Sequence, residues 1–288
     1  MFGDTQLSIS TTCRTVADRK KFMKKMRSLP GYQNADFIVH IGDMTSYFHD
    51  MERDLLTDLL DDFAPEKGEN VRPWVMVRGN HEVNGIEAER WYDFFLMPGE
   101  KGYYSFTFGD TFFIVLDCGD YAPVEKNTAA SGAMINMDHL MRKQGLWLEK
   151  IKKSEAFRKA KYRIVLSHVE PQLNDRSMDQ AVRKMTESLL KDETPEGMIH
   201  LWIAGHIHKF FRGVRGSDKL VSPYTVKKPA KKIAPVNWVA VDGPKGDSSD
   251  PNFSYLSVNV TEDKIKLEVV DENGKSLDCV EIDKEGKL

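Results

Sequence analysis

Four short apolar stretches of this chain each end on a side chain that can bind a metal. Phe37 to Asp43 reads FIVHIGD, Pro73 to Glu82 reads PWVMVRGNHE, Tyr162 to His168 reads YRIVLSH, and Ile199 to His208 reads IHLWIAGHIH. Each apolar run has strand length and is rich in β-branched residues. Each is also too uniformly apolar to keep one face in water, as expected of a strand buried on both sides. Helical patterns lie between several of these runs, and strand, polar loop, helix is the βα unit of a largely parallel sheet. In such sheets ligands collect beyond the carboxyl ends of the strands. Asp43, Asn80, His81, His168, His206 and His208 are therefore placed to share one site, and Asp4 near the start of the chain joins them.

The remaining elements follow from spacing. Thr15 to Leu29 alternates apolar and lysine faces at helical period until Pro30-Gly31 stops it, and Asp50 to Leu60, Glu87 to Phe95, Asp138 to Lys152 and Ser177 to Leu190 read as further helices. Ser177 and Gln180 form a capping box. Tyr103 to Phe108 and Thr111 to Asp117 are strands joined by Gly109-Asp110, a two-residue hairpin turn. After Phe211 the runs NFSYLSVNV, KIKLEVVD and SLDCVEI predict antiparallel strands, with Asn273-Gly274 as a hairpin signal. Residues 1–288 read as a single domain, with 213–288 as its β-rich C-terminal part, because no linker rich in Pro, Gly or Ser intervenes.

Composition narrows the function classes. There are 41 basic and 44 acidic residues, for a net charge of −3, so no global field favours nucleic acid or an anionic membrane. No apolar run approaches the roughly 20 residues needed to span a bilayer, and the N-terminus lacks the basic-then-apolar pattern of a signal peptide. Cys13, Cys118 and Cys279 have no paired spacing and read as ordinary thiols.

Two features carry the chemistry most directly. From the glycine and histidine content, Gly-His-any-His should arise by chance about 0.02 times in such a chain, so Gly205-His206-Ile207-His208 calls for a functional reading. Two histidines two apart on a curving loop can address two metals, whereas on a flat strand they point one way. Asp43, at the end of FIVHIG, is costly to desolvate unless paired. With no basic residue beside it in sequence, a bridge between two cations resolves that cost. Asn80 offers a carbonyl oxygen and His81 a proton near neutral pH. His40 reads as a satisfied core residue, and His49, His139 and His200 fall outside the strand-end set. Glu82 and Glu170 adjoin ligands and either orient them or lie on the surface.

Taken in order, GD, GNHE, a strand followed by His, and GHxH resemble the calcineurin-like metallophosphoesterase superfamily. YYSFTFGDTFFIVLD, QGLWLEK and GHIHKFFR further resemble its purple acid phosphatase branch, and the resemblance spans roughly Asp4 to Arg212. It implies an α/β fold: a four-layer α-β-β-α sandwich of two mixed sheets packed face to face with flanking helices. It also implies two divalent or mixed-valence metal ions, of manganese, iron or zinc, bridged by a carboxylate and a hydroxide. Asp43 would be the bridge, Asp4 and His208 would serve the first metal, and Asn80, His168 and His206 the second. Asn80 and His81 would contact substrate, with His81 beside the leaving-group oxygen.

The pattern departs from the family at Gln6, which stands where the first Asp-any-His motif has histidine. An amide oxygen there makes the first metal looser, or favours manganese or magnesium. Ser46 stands where the purple branch carries tyrosine. Only three residues precede Asp4, so either the chain begins inside the first strand or an upstream domain is missing. In that case an exported protein is expected, and otherwise a cytoplasmic one. The expected function is hydrolysis of a small-molecule phosphate ester, a monoester first, by attack of the metal-held hydroxide. The alternatives are a phosphodiesterase acting on nucleotides or phospholipid headgroups, and a non-catalytic binding protein with a degraded first metal site.

Overall fold

The computed structural model describes residues 1–6, 24–46, 57, 60–61, 72–85, 87–99, 101–119, 137–171, 177–222, 232–241 and 254–288. The helix expected at Asp50 to Leu60 and the loop at Gly119 to Ala133 lie largely outside these residues, as does the start of the helix at Thr15.

A seven-stranded mixed sheet forms one layer. Its strands are β3 (Tyr104–Phe108), β4 (Thr111–Leu116), β5 (Tyr162–Ser167), β6 (Leu201–Ala204), β7 (Phe211–Gly213), β8 (Leu220–Val221) and β9 (Trp238–Ala240), in the order β3-β4-β5-β6-β9-β7-β8. β4, β5, β6 and β9 run parallel. The hairpin expected at Gly109-Asp110 joins β3 to β4, with Gly109 left-handed at φ 55°.

The facing layer is assembled from two smaller pieces. β1 (Ile38–His40) pairs in parallel with β2 (Trp74–Met76), while β10 (Ser254–Val260), β11 (Lys264–Asp271) and β12 (Ser276–Asp283) form an antiparallel meander. The first residues of the chain stitch these pieces together. Phe2 bridges His40 in parallel, and Met1 exchanges backbone hydrogen bonds with Leu256 of β10 at 2.7 and 2.9 Å.

Alternation along the strands sorts side chains between layers. Val39, Val75, Phe113, Val115, Ile164, Leu166, Leu201, Ile203, Val239, Leu256, Ile265 and Leu267 share the core between the two sheets. The other face of the seven-stranded sheet, through Phe112, Ile114, Val165, Trp202 and Trp238, packs on Met141 and Leu148 of α3 (Met137–Ile151), Phe157 of α4 (Glu155–Lys159), and Val182 and Leu189 of α5 (Ser177–Leu190). On the opposite side Ile38, Met76, Tyr255 and Val270 pack on Met26 and on Trp91 of α2 (Trp91–Phe94). The result is the four-layer α-β-β-α sandwich that the family resemblance implies.

One boundary differs from expectation, and another gains an element. The helix expected from Thr15 ends at Arg27, ahead of Pro30 as expected, and Pro30 then opens a separate short helix, α1 (Pro30–Gln33), because its fixed φ and missing N–H suit a first helical position. Glu87 to Phe95 is not one helix but a 3₁₀ turn over Ala88–Arg90 followed by α2.

Candidate metal centre

All the singled-out residues come from the carboxyl-terminal edge of the strands. Gly42-Asp43 follows β1, Gly79 to Glu82 follows β2, His168 follows β5, and Gly205 to His208 follows β6. Asp4 and Gln6 follow the Phe2 bridge, held by Asp4 N–H to Gly42 O and Gln6 N–H to Asp43 O, both 2.9 Å. Donor atoms of Asp43, His168 and His206 lie within 4.8 Å of one another, and so do those of Asp4, Asp43 and His208. Asp43 belongs to both groups.

The backbone is bent to allow this. Among the described residues, the non-glycine positions with positive φ are Asp4 (51°), Gln6 (40°), Asp43 (55°), His206 (73°) and His208 (53°). Left-handed backbone costs about 1 kcal/mol or more at such residues, and it persists only where surrounding structure enforces it. Each of the five belongs to the site. Gly42 and Gly205 give them room: a Cβ on Gly42, at φ 98°, would lie 2.6 Å from His168 Nδ1, and one on Gly205 would lie 2.7 Å from Asp4 Oδ2.

Glu82 is the main enforcer. Fully buried, it accepts N–H donors from Asp43 (2.9 Å) and Gly79 (2.7 Å) on Oε2, and from Met44 (2.5 Å) and Thr45 (3.1 Å) on Oε1. One carboxylate thus fastens the loop after β1 to the loop after β2. Burial and the charge of Asp43 push the Glu82 carboxyl above its usual range, while the Thr45 and Gly79 donors pull against them. His40 does a similar task beneath Asp4. Gly42 N–H donates to its Nδ1 (3.3 Å), so Nε2–H donates to Thr5 Oγ1 (3.0 Å), and Thr5 donates onward to Met44 O (3.2 Å). Burial drives His40 down to about 3, so it is neutral.

Around Asp43 the electrostatics are concentrated. Its Oδ1 accepts the His81 N–H at 3.0 Å, and its Oδ2 lies 3.0 Å from His168 Nε2 and 3.8 Å from His81 Nε2. Burial alone raises the Asp43 carboxyl, but the His168 ring outweighs it and holds the group well below the ordinary carboxylate range. Conversely, burial pulls His168 down and Asp43 more than reverses this, to about 10. The pair shares a positive charge, which a proton or a metal cation can supply. His168 Nδ1–H donates to Ile41 O at 2.8 Å, which aims Nε2 inward toward Asp43 and Asp4.

Asn80, His206 and Asp4 complete the edge. Asn80 Oδ1 is a buried acceptor without a hydrogen-bond partner among the described residues. Asp4 receives the His206 N–H on both oxygens, at 3.2 and 3.0 Å, and its Oδ1 lies 3.5 Å from His208 Nε2. His81 sits nearer the surface, its side chain 28% exposed, with Nδ1–H donating to Ser46 O at 2.6 Å. Gln6 turns the NH₂ end of its amide inward, 3.1 Å from Asp43 Oδ2 and 3.3 Å from His208 Nε2. An unpartnered buried oxygen, three imidazoles, of which His168 is anchored from behind, and two carboxylates, with no thiolate in either group, form a donor set that fits hard or borderline divalent cations.

Sequence reasoning passed over some supports. Ile41 O and Ser46 O are backbone atoms with no side-chain signal, and Thr5 reads as an ordinary strand residue. Arg78 and Asp117 form a buried ion pair at 2.5 Å behind Gly79, and Gln144 clamps the Asp117 backbone through two 2.9 Å bonds. The apolar flanks of Arg78 and Asp117, VMVRG and IVLDC, are the only hint that both charges are buried.

A sequence profile described as calcineurin-like phosphoesterase matches residues 1–210. The chain belongs to the calcineurin-like phosphoesterase family. No curated protein matches it in sequence. Among solved structures, this phosphoesterase-family chain is similar to a dimetal phosphatase from Danio rerio at 14% identity, covering 98% of this chain and 97% of that one with a TM-score of 0.58. It is also similar to GAP50, described as the anchor in the inner membrane complex of Plasmodium, at 12% identity, covering 98% and 87% with a TM-score of 0.57. At these identities the likeness is one of fold, and none of these matches singles out the purple acid phosphatase branch. Among the described residues no helix is long and apolar enough to cross a membrane.

Proposed function

We propose that this member of the family is a hydrolase that cleaves a phosphate monoester at a pair of divalent cations. The observation that carries the reading is that the two groups of clustered donors share one residue, Asp43. Asp4, Asp43 and His208 would hold one ion, and Asp43, Asn80, His168 and His206 the other. Bound there, two cations supply an acidified water and neutralise charge on the phosphoryl oxygens.

The chain's own residues do the rest. Asp43 keeps both donor groups in register, because its main chain is fastened by Glu82 and its Oδ1 by the His81 N–H. His168 is held by Ile41 O, so its ring cannot turn away. His81 and His208 both reach solvent, with side chains 28% and 22% exposed, and the His81 Nδ1 is committed to Ser46 O. The His81 Nε2, 3.8 Å from Asp43 Oδ2, would steady or protonate a departing alkoxide on the open side.

Replacing Asp43 with Asn keeps the shape and removes the shared charge. The expected result is loss of turnover of a generic aryl phosphate together with a fall in bound metal, read by elemental analysis of folded protein. Unchanged activity and metal content would refute the reading. Rates on aryl monoesters and diesters, measured side by side, separate a monoesterase from a diesterase. A binding protein without catalysis is the second reading, and the inward amide of Gln6 favours it, because it occupies donors that one ion needs. A screen with added manganese that finds binding but no turnover would support that reading.

A further inference from the structure

We infer that Gln6 is a latch on one of the two cation positions, so that the ions load one after the other and with unequal affinity. The inference rests on the two-cation reading above and concerns how that site is filled.

The chemistry of the contacts fixes which end of the amide points inward. Asp43 is held as a carboxylate, which can only accept, so the Gln6 atom 3.1 Å from Oδ2 is the NH₂ group. The same nitrogen lies 3.3 Å from His208 Nε2, which accepts from it when the ring proton is on Nδ1, whereas an Nε2–H would face Asp4 Oδ1 at 3.5 Å. An imidazole nitrogen has one lone pair in the ring plane. Once that lone pair takes an N–H from Gln6, it cannot also take a cation.

Two of the three donors in the Asp4, Asp43 and His208 group are thus held by one amide. The grip falls on His208, which belongs to that group alone, so it penalises one cation position more than the other. Gln6 is itself held in place. Its N–H donates to Asp43 O at 2.9 Å and its backbone is left-handed at φ 40°, so release has to come from rotation of the side chain. Swinging the amide out of the site would release His208 and Asp43 and open the position. The motion is small and local, and it needs no movement of the strands.

The latch and an ordinary ligand role predict opposite signs. If Gln6 donated its oxygen to a cation, removing the amide would weaken binding. As a latch, its removal frees His208 and Asp43, and binding tightens. Hydrogen bonds to charged groups contribute enough that the gain should be at least about tenfold. Gln6→Ala tests this, and Gln6→Met repeats it with a side chain of similar length that cannot donate.

The experiment titrates metal-free protein with Mn²⁺ by calorimetry, follows spin coupling of the Mn²⁺ pair by electron paramagnetic resonance, and checks folding by circular dichroism. The wild-type protein should take one ion tightly and a second at least about tenfold more weakly, with coupling only after the second. In either folded variant the weaker dissociation constant should fall by about tenfold or more. A weaker constant that rises or stays unchanged in both variants overturns the latch while leaving the two-cation reading intact. Wild-type protein that binds one ion or none at every concentration overturns both.

Discussion

Glu82→Gln is the sharpest probe of how the loops are held. The native carboxylate accepts two N–H groups on each oxygen, from Asp43 and Gly79 on one side and Met44 and Thr45 on the other. Glutamine has nearly the same shape but only one oxygen. Whichever way the amide turns, its NH₂ faces two backbone N–H groups, and those donors are buried without an acceptor. An unsatisfied buried donor costs about 1–3 kcal/mol, so the substitution should destabilise by roughly 2–6 kcal/mol. At about 2–4 °C per kcal/mol for a chain of this size, the thermal midpoint should drop by roughly 5–20 °C. Circular dichroism melts of the metal-free proteins read this directly, with Glu155→Gln on the exposed side of α4 as a control expected to change little. Calorimetry should also show weaker metal binding, because the Asp43 main chain loses its anchor. A midpoint within about 2 °C of wild type would mean that Glu82 does not fasten the two loops, and the account of the left-handed Asp43 would fail with it.

Two further outcomes follow from the same geometry. Gly42→Ala places a methyl group 2.6 Å from His168 Nδ1 at a φ of 98°, so it should abolish metal uptake or folding, whereas Gly99→Ala, with open space at a similar φ of 69°, should cost stability alone. His200 is buried, accepts the Arg163 N–H and donates to Lys284 O, and burial lowers it from 6.5 to about 4. It is therefore neutral when folded and protonated when unfolded between those values, so stability should fall as pH drops from 6.5 towards 4. His200→Asn should flatten that dependence by nearly one proton near pH 5, as read from urea melts across the pH range.

The fold was legible where burial is decided locally. β4, β5 and β6 are read from their apolar runs to within two residues, since strands buried on both faces must be apolar throughout. β7, β8 and β9 were not read as strands. They are three, two and three residues long, too short to show a period. Their place in the sheet is set by pairing at a distance: β9 inserts between β6 and β7, against chain order. The N-terminal segment shows the same limit. Nothing in MFGD alternates, and it joins the sheet because its backbone finds open edges on β1 and β10.

The site was legible for a different reason, and only in part. A buried carboxylate and a Gly-His-any-His loop have few structural uses, so residue type alone points to Asp43, His206 and His208. Residue type does not say how two side chains two positions apart come to serve different partners. Extended backbone would point Asp4 and Gln6 to one side, and likewise His206 and His208. The left-handed turns at all four break that alternation, and they place His206 with His168 in one group and His208 with Asp4 in the other. Such a backbone is unfavourable in isolation, and beyond glycine its residue code is only an enrichment of Asp, Asn and His. It is held here by Glu82, by the chain of hydrogen bonds from His40 through Thr5 to Met44, and by the His206 N–H on Asp4. The donors are therefore positioned by the protein fold itself, and a cation binding among them would have little backbone left to rearrange.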